Sequence, residues 1–251
     1  MSSSIWTRCA GASEIRPLRL EPWRAVESQH QVSTRRLVDS DAEQRLLEGL
    51  IDDAKPADRT GGRLHYLLST PFRYPPLRHG SRFGRRTEPG VWYGAETLRA
   101  TFAEVAYYRL LFLEGTAADL GTVETELTAY RAAVRTERGV DLTAPPFAAY
   151  EAVLAAPDRY VETQALGGAA REAGVEALRY RSARDVEGGV DVAVLDPGAF
   201  GRRRPRDLAS WHCTADRTRV EVASRGYFDR TVHVYPRGDF LVDGRLPALA
   251  P

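Results

Sequence analysis

The chain has little cysteine, almost no lysine and no long apolar run. Its 251 residues include two cysteines, Cys9 and Cys213, which have neither a CxxC partner nor a histidine at ligand spacing. This pattern argues against a zinc site and for reduced structural thiols, so we expect no bound metal. Lys55 is the only lysine, and arginine therefore supplies nearly all of the positive charge.

Charge and hydropathy argue against further classes of protein. The formal net charge of +1 gives no general reason to expect nucleic acid or an anionic membrane as a partner. No stretch is long and apolar enough to span a bilayer, and the first residues have neither a basic start nor a continuous apolar run. We therefore expect a cytoplasmic protein. Its hydrophobic content of 43% is enough for a sizeable core.

The length suits one large domain or a domain with an extension. We divide the chain into an N-terminal extension, 1–60, with a helix packed on the core, and a main domain, 61–251. Residues 1–35 carry tryptophans, arginines and prolines without clear periodicity. We expect this leader to pack across the domain, because tryptophan side chains are costly to leave in water.

Three helices are predicted from apolar periodicity and end signals, and a further helix is predicted between Pro146 and Pro157. The first covers 41–54, where Ser40 and Glu43 form a capping box before an apolar face of leucines and isoleucine. The second runs from Ala95 to a stop at Gly115, and the third covers 161–173. Two glycines inside the third helix indicate a close approach to a neighbouring backbone.

Strands are indicated by β-branched and aromatic runs between turn residues. They are predicted at 63–70, 91–94, 122–135, 177–182 and 190–195, with two or three antiparallel strands near the C-terminus. Helices and strands mix without a regular βαβ alternation, which favours an α+β domain with a mixed sheet over a doubly wound fold. The glycines near Gly80 do not form a GxGxxG turn, so a bound dinucleotide would be held by side chains.

The segment 71–115 concentrates the residues that indicate chemistry. Arg73 and Tyr74 lie between prolines, which predicts an extended or turning backbone. Arginine binds phosphate oxygens through a planar fork, and tyrosine offers a flat face with a polar tip. Glu104 falls beside the apolar stripe of the second helix, where a carboxylate can stabilise positive charge on a sugar. The pattern indicates an anionic, aromatic ligand, although a solvated arginine loop is an equally good interpretation.

Four blocks within and after this segment resemble the RES domain family. They read GSRFG, WYGA, FAEVAYYR and RYRSARDVEGGVDVAVLDPGAF, and they occur in that order. The resemblance implies a fold like that of ADP-ribosyltransferases, with 61–251 as the catalytic domain. It implies the toxin of a toxin–antitoxin pair that destroys NAD by splitting the bond between nicotinamide and ribose. NAD is then a substrate rather than a cofactor, and water or phosphate is the acceptor.

The resemblance also implies roles for individual residues. Tyr93 matches the tyrosine placed against nicotinamide. Glu104 matches the acid, Ser182 the family's serine and Arg82 the arginine of the GSR block, and these three are the expected catalytic residues. The residues matched to dinucleotide contacts are Arg73, Tyr74 and Arg82, together with Tyr93 and Ser182. Without the resemblance, the end of a short strand makes Ser182 a turn residue. Tyr108 departs from the pattern, because many relatives have histidine there.

The resemblance implies partners as well as chemistry. These are NAD and an antitoxin with a helix-turn-helix domain. From charge and hydropathy we expect no membrane and no direct nucleic acid contact, and an oligomer is left open. The arginines between Arg202 and Arg206 form a basic loop around Pro205, which is either a solvated face or a site for an acidic partner surface.

Two further interpretations of function stay open: transfer of ADP-ribose to a protein target, and a non-catalytic regulatory binding module.

Overall fold

The computed structural model describes residues 4–28, 38–54, 56, 62–74, 76, 78–226 and 230–247. Within them, a ten-stranded mixed sheet forms the centre of the molecule, and helices pack against it. The predicted α+β class is therefore confirmed. The proposed domain boundary at residue 60 lies outside the described residues.

The described part of the chain contains six α-helices and ten strands. The helices are α1 (Ile5–Arg8), α2 (Asp41–Ala54), α3 (Tyr66–Arg73), α4 (Leu98–Gly115), α5 (Glu151–Leu154) and α6 (Val161–Glu172). The strands are β1 (Arg16–Leu20), β2 (Trp23–Glu27), β3 (Trp92–Ala95), β4 (Val123–Arg131), β5 (Val134–Asp141), β6 (Ala177–Arg181), β7 (Val190–Val194), β8 (Arg206–Ala215), β9 (Arg219–Ser224) and β10 (Val232–Pro236). Their order across the sheet is β1-β5-β6-β7-β3-β2-β4-β8-β9-β10. In this order β5 and β6 run parallel, and every other neighbouring pair is antiparallel.

The central strands of the sheet have buried side chains on both faces, since successive side chains of a strand project to opposite faces. On one face, the buried Trp92 of β3 packs in a cluster with Leu68 and Phe72 of α3. On the other face, Tyr93 packs beside Leu166 of α6. Helix α4 covers β8, β9 and β10 through Phe102 and other buried side chains of that helix. The centre of the sheet is thus enclosed from both sides.

The helices predicted at 41–54, 95–115 and 161–173 are confirmed as α2, α4 and α6, and α5 lies within the helix predicted between Pro146 and Pro157. Helix α4 begins three residues later than expected, because the Thr97 side chain accepts a hydrogen bond from Ala100 N–H and caps the helix there. The apolar face of α2 does not pack as predicted: Leu46 is 64% exposed and Leu50 is 58% exposed. None of the described helices is long and apolar enough to cross a membrane.

The strand predicted at 63–70 is wrong, because these residues lead into helix α3. The His65 side chain accepts a hydrogen bond from Leu67 N–H at 3.3 Å and caps the helix. Pro71 lies inside the helix and Arg73 is its last residue, so the extended backbone predicted for Arg73 is also wrong. Tyr74, the next residue, is extended as predicted.

The long strand predicted at 122–135 is two strands, and the leader contributes two more. β4 ends at Arg131 and β5 begins at Val134, on separate parts of the sheet. Within the leader, β2 lies between β3 and β4 near the middle of the sheet, and β1 forms an edge. The short strands predicted at 177–182 and 190–195 are confirmed as β6 and β7.

The close approach predicted for the glycines of α6 occurs at Gly167. A Cβ atom there would lie 2.8 Å from the Phe83 carbonyl carbon and closer still to its oxygen. We expect Gly167→Ala to destabilise the protein by about 1–3 kcal/mol, since backbone cannot give way as a flexible side chain can. In the matched variant Gly168→Ala, the new Cβ meets only Glu88 Oε1, at 3.1 Å. Denaturant unfolding should therefore show a loss for the first variant and little change for the second, and equal midpoints would contradict this packing.

Candidate active site

A cavity of about 870 Å³ lies where β2 and β3 diverge. These two strands pair at one position, Trp23 with Ala95, whereas β2 continues beside β4 from Trp23 to Glu27. Residues 24–27 of β2, residues 93–95 of β3 and one face of α4 line the cavity, together with the loop 79–82. Strand separation thus opens a site near the middle of the sheet.

Glu104 lies on the face of α4 that borders the cavity. Thr101 and Tyr108, about one turn away on either side, line the cavity with it, as the helical spacing predicts. Phe102 and Ala106 on the other side of the helix are fully buried, so packing fixes the orientation of α4. The Glu104 carboxylate is half-buried and makes no hydrogen bond or ion pair with the described residues. It is therefore available to a ligand.

Arg82 lies in the cavity wall and is 5% exposed. Its Nη1 donates to the carbonyls of Leu154 and Ala156, each at 2.9 Å, and its guanidinium lies 4.7 Å from the centre of the Tyr160 ring. Burial disfavours its charge, but Tyr160, Tyr180 and Glu104 outweigh that effect and raise the pKa of Arg82. Arg82 is thus a fixed cation beside the cavity.

Tyr93 holds the loop that carries Arg82. Its hydroxyl donates to Ser81 Oγ at 2.9 Å and accepts from Phe83 N–H at 3.1 Å. Burial raises the pKa of Tyr93 to about 12, so the phenol is neutral. Because the hydroxyl is occupied, the ring is the part of Tyr93 that remains for a ligand.

The other residues matched by resemblance are placed differently. Tyr74 lines the cavity and is 42% exposed. Arg73 does not line it, and its Nε donates to the carbonyl of Pro56. Ser182 is buried outside the lining, where its Oγ accepts from the backbone N–H groups of Arg184 and Asp185. The turn predicted for Ser182 from its sequence position is therefore present.

Sequence reasoning missed four charged residues in the cavity lining: Arg24, Asp191, and the pair Glu27 and Arg109, which bind each other. Arg24 lies on β2, where its Nη1 donates to the Tyr93 carbonyl at 2.7 Å and its guanidinium lies 5.6 Å from the Trp92 ring. Asp191 lies on β7 and is 2% exposed. Arg24 falls in the leader without periodicity, and Asp191 falls in an apolar strand, so neither has a local signal of function.

Residues 56–216 match the family model described as the RES domain. Among solved structures, the crystal structure of the M. tuberculosis MbcT-MbcA toxin-antitoxin complex matches at 15% sequence identity with a TM-score of 0.49. The match covers 83% of this chain and 92% of that chain. No curated protein matches this chain. The family match includes Arg82, Tyr93 and Glu104, whereas β2 with Arg24 lies outside it.

Proposed function

Since the chain belongs to the RES domain family, we propose that it is an enzyme that cleaves the bond between nicotinamide and ribose in NAD, and that it acts as the toxin of a toxin–antitoxin pair. The observation that carries this proposal is Glu104, a carboxylate without a partner among the described residues, in a cavity lined by arginine and tyrosine. Such a site suits a ligand that has phosphate groups, flat rings and a sugar on which positive charge develops.

Glu104 acts on the ribose in this proposal. When the glycosidic bond breaks, both of its electrons leave with nicotinamide, which becomes neutral, and the ribose carbon takes on positive charge. A carboxylate that is already fixed on a helix stabilises this charge without reorganising. Water or inorganic phosphate then bonds to the same carbon, and the proton that water loses passes to Glu104.

Arginine and tyrosine bind the rest of the dinucleotide. We assign the pyrophosphate to Arg82 and Arg24, because both line the cavity and both are fixed by bonds to backbone carbonyls. Arg73, which the resemblance placed in the same role, lies outside the lining. The ring of Tyr93 lies against nicotinamide, and Ser182 acts through the turn that it holds after β6.

The fate of the ADP-ribose group tests this function. The purified protein is incubated with NAD that carries a label in its adenylate part. We expect the label in a free small molecule, together with released nicotinamide. Label on a macromolecule would support the transferase alternative, and intact NAD would support a binding module and contradict the proposal.

The basic loop gives a separate prediction about the antitoxin. Arg202, Arg203 and Arg204 are exposed and make no ion pair with the described residues, whereas Arg206 bonds to Glu21 at 2.9 Å. We expect replacement of these three arginines by serine to slow association with the antitoxin and to make the association rate less dependent on salt. Exposed charges act chiefly by attracting the partner before contact, which raises the association rate. Stopped-flow association at two salt concentrations measures both effects.

A control variant loses three positive charges at positions away from this loop. Arg19, Arg86 and Arg159 are exposed arginines on three other segments, and their replacement by serine should leave the salt dependence nearly unchanged. NAD cleavage by the free protein should be unaffected by the change at 202–204. Equal effects of the two triple variants on association would mean that the loop is an ordinary solvated face.

A further inference from the structure

Asp191 is a buried acid that the mechanism above does not use. In the sheet register it lies opposite Ala95 of β3 on one side and opposite Tyr180 of β6 on the other. Directly paired residues project from the same face, so Asp191 shares its face with Tyr180, and both line the cavity. Tyr93, two residues before Ala95, projects from this face as well. Asp191 therefore lies at the end of the cavity where the Tyr93 ring is found.

Among the described residues, no hydrogen bond of normal geometry reaches either oxygen of the Asp191 carboxyl, although the Ser182 hydroxyl approaches it as a donor. A carboxyl group that is 2% exposed without such bonds is costly to the fold, and it is usually found where a ligand completes the site. The other residues of β7 are apolar, and an aspartate contributes nothing to their packing. A ligand in the cavity can thus supply the hydrogen-bond partner that this carboxyl lacks.

The groups around Asp191 favour its protonated form, because they raise the pKa of this carboxyl. Burial is the largest cause of a pKa raised well above the ordinary value, and the charge of Glu104 on α4 raises it further, as does Asp185. The Ser182 hydroxyl and Arg82 oppose this shift but do not cancel it. A protonated carboxyl has one O–H donor and one carbonyl acceptor, which is the complement of a primary amide.

We propose that Asp191 is a further substrate-binding residue, and that its carboxyl pairs with the carboxamide of the nicotinamide ring. This inference rests on the proposed function. The acid O–H donates to the carboxamide oxygen, and the acid carbonyl accepts from the carboxamide N–H. A ligand with a carboxylate in place of the carboxamide would set a second negative group beside Glu104, so the site selects NAD over its deamidated form.

Two substitutions separate recognition from a structural role. Asp191→Asn keeps a donor and an acceptor, so we expect the KM for NAD to stay within about threefold of the parent. Asp191→Leu removes both and leaves the carboxamide unpaired, so we expect the KM to rise about tenfold to 100-fold. The free Leu variant should unfold at a temperature equal to or above that of the parent, because it no longer buries an unpaired polar group.

The pH dependence adds a readout that a structural role would not produce. As pH rises through the raised pKa of Asp191, the group loses its donor proton, and the KM of the parent for NAD should rise. Asp191→Asn cannot ionise, so its KM should lack this rise. Glu104, Asp185, Arg82, Tyr93 and Tyr180 are present in both proteins, and their titration is therefore common to both profiles.

Each outcome bears on the inference. It is supported if the Leu variant binds NAD weakly while keeping its stability and if the Asn variant behaves as the parent. It is overturned if the Leu variant keeps the parent KM, if the Asn variant is as impaired as the Leu variant, or if both lose stability in parallel with activity. If the Leu variant does not fold, the Asn variant and its pH profile still decide. A parent protein that leaves NAD intact would overturn the proposed function as well, which distinguishes the two failures.

Discussion

Replacing Glu104 by glutamine is expected to lower the rate of NAD cleavage by about 100- to 1,000-fold, as is typical when one well-placed electrostatic group is lost. Glutamine has nearly the same shape but cannot carry the negative charge that stabilises the ribose. Since the carboxylate makes no hydrogen bond or ion pair with the described residues, the substitution breaks no such contact. The loss should therefore appear in kcat, with the unfolding temperature unchanged.

Glu114 provides the matched control for this result. It lies on the same helix, away from the cavity, and forms an exposed ion pair with Arg237 at 2.9 Å. Glu114→Gln should keep nearly the parent rate, because exposed ion pairs contribute little. A folded Glu104→Gln protein with a near-normal rate would remove Glu104 from the mechanism.

The second large effect is expected at Arg82. Arg82→Ala should weaken NAD binding by about tenfold to 100-fold, which is the usual range for hydrogen bonds to a charged group. It should also destabilise the protein, because the carbonyls of Leu154 and Ala156 lose their donor. Arg82→Lys should recover part of both losses, since lysine restores the charge but not the planar fork.

Further arginine variants separate binding from stability. Arg24→Ala should weaken NAD binding with a smaller loss of stability, since only one bond, to the Tyr93 carbonyl, is removed among the described residues. Arg73→Ala should leave NAD binding nearly unchanged, because Arg73 lies outside the cavity lining. Titration with NAD and thermal unfolding of the same samples measure the two quantities. Binding by Arg82→Lys equal to that of the parent would contradict the assignment of the pyrophosphate to a guanidinium.

The sequence was most informative where local signals were strong. The apolar period of α4 and the flanking glycine predicted the helix, and the same period placed Glu104 beside Thr101 and Tyr108. By contrast, the short apolar run before Pro71 suits a strand or a helix equally well. The cap formed by His65 and the packing of Leu68 favour the helix over the strand. Neither contact can be predicted from the apolar residues alone.

Non-local pairing accounts for most of what the sequence did not predict. β2 has few residues and no clean alternation, yet pairing with β3 and β4 puts it near the middle of the sheet. Arg24 reaches the cavity only because β2 lies there. Asp191 is surrounded by β3, β6 and α4, which are distant from one another along the chain. Residue types and spacing therefore predicted one helix face of the cavity, whereas the other residues around it depend on non-local pairing.

The most direct test of the central claim is the mass of the products formed from NAD by the purified protein, with and without inorganic phosphate. We expect nicotinamide in both reactions, released in equal amount to the NAD consumed. The second product should be free ADP-ribose in buffer without phosphate, and its phosphorylated form with phosphate if phosphate is the better acceptor. NAD that stays intact in both reactions, with a folded protein and an Arg82-dependent binding signal, would contradict cleavage as the function of this site.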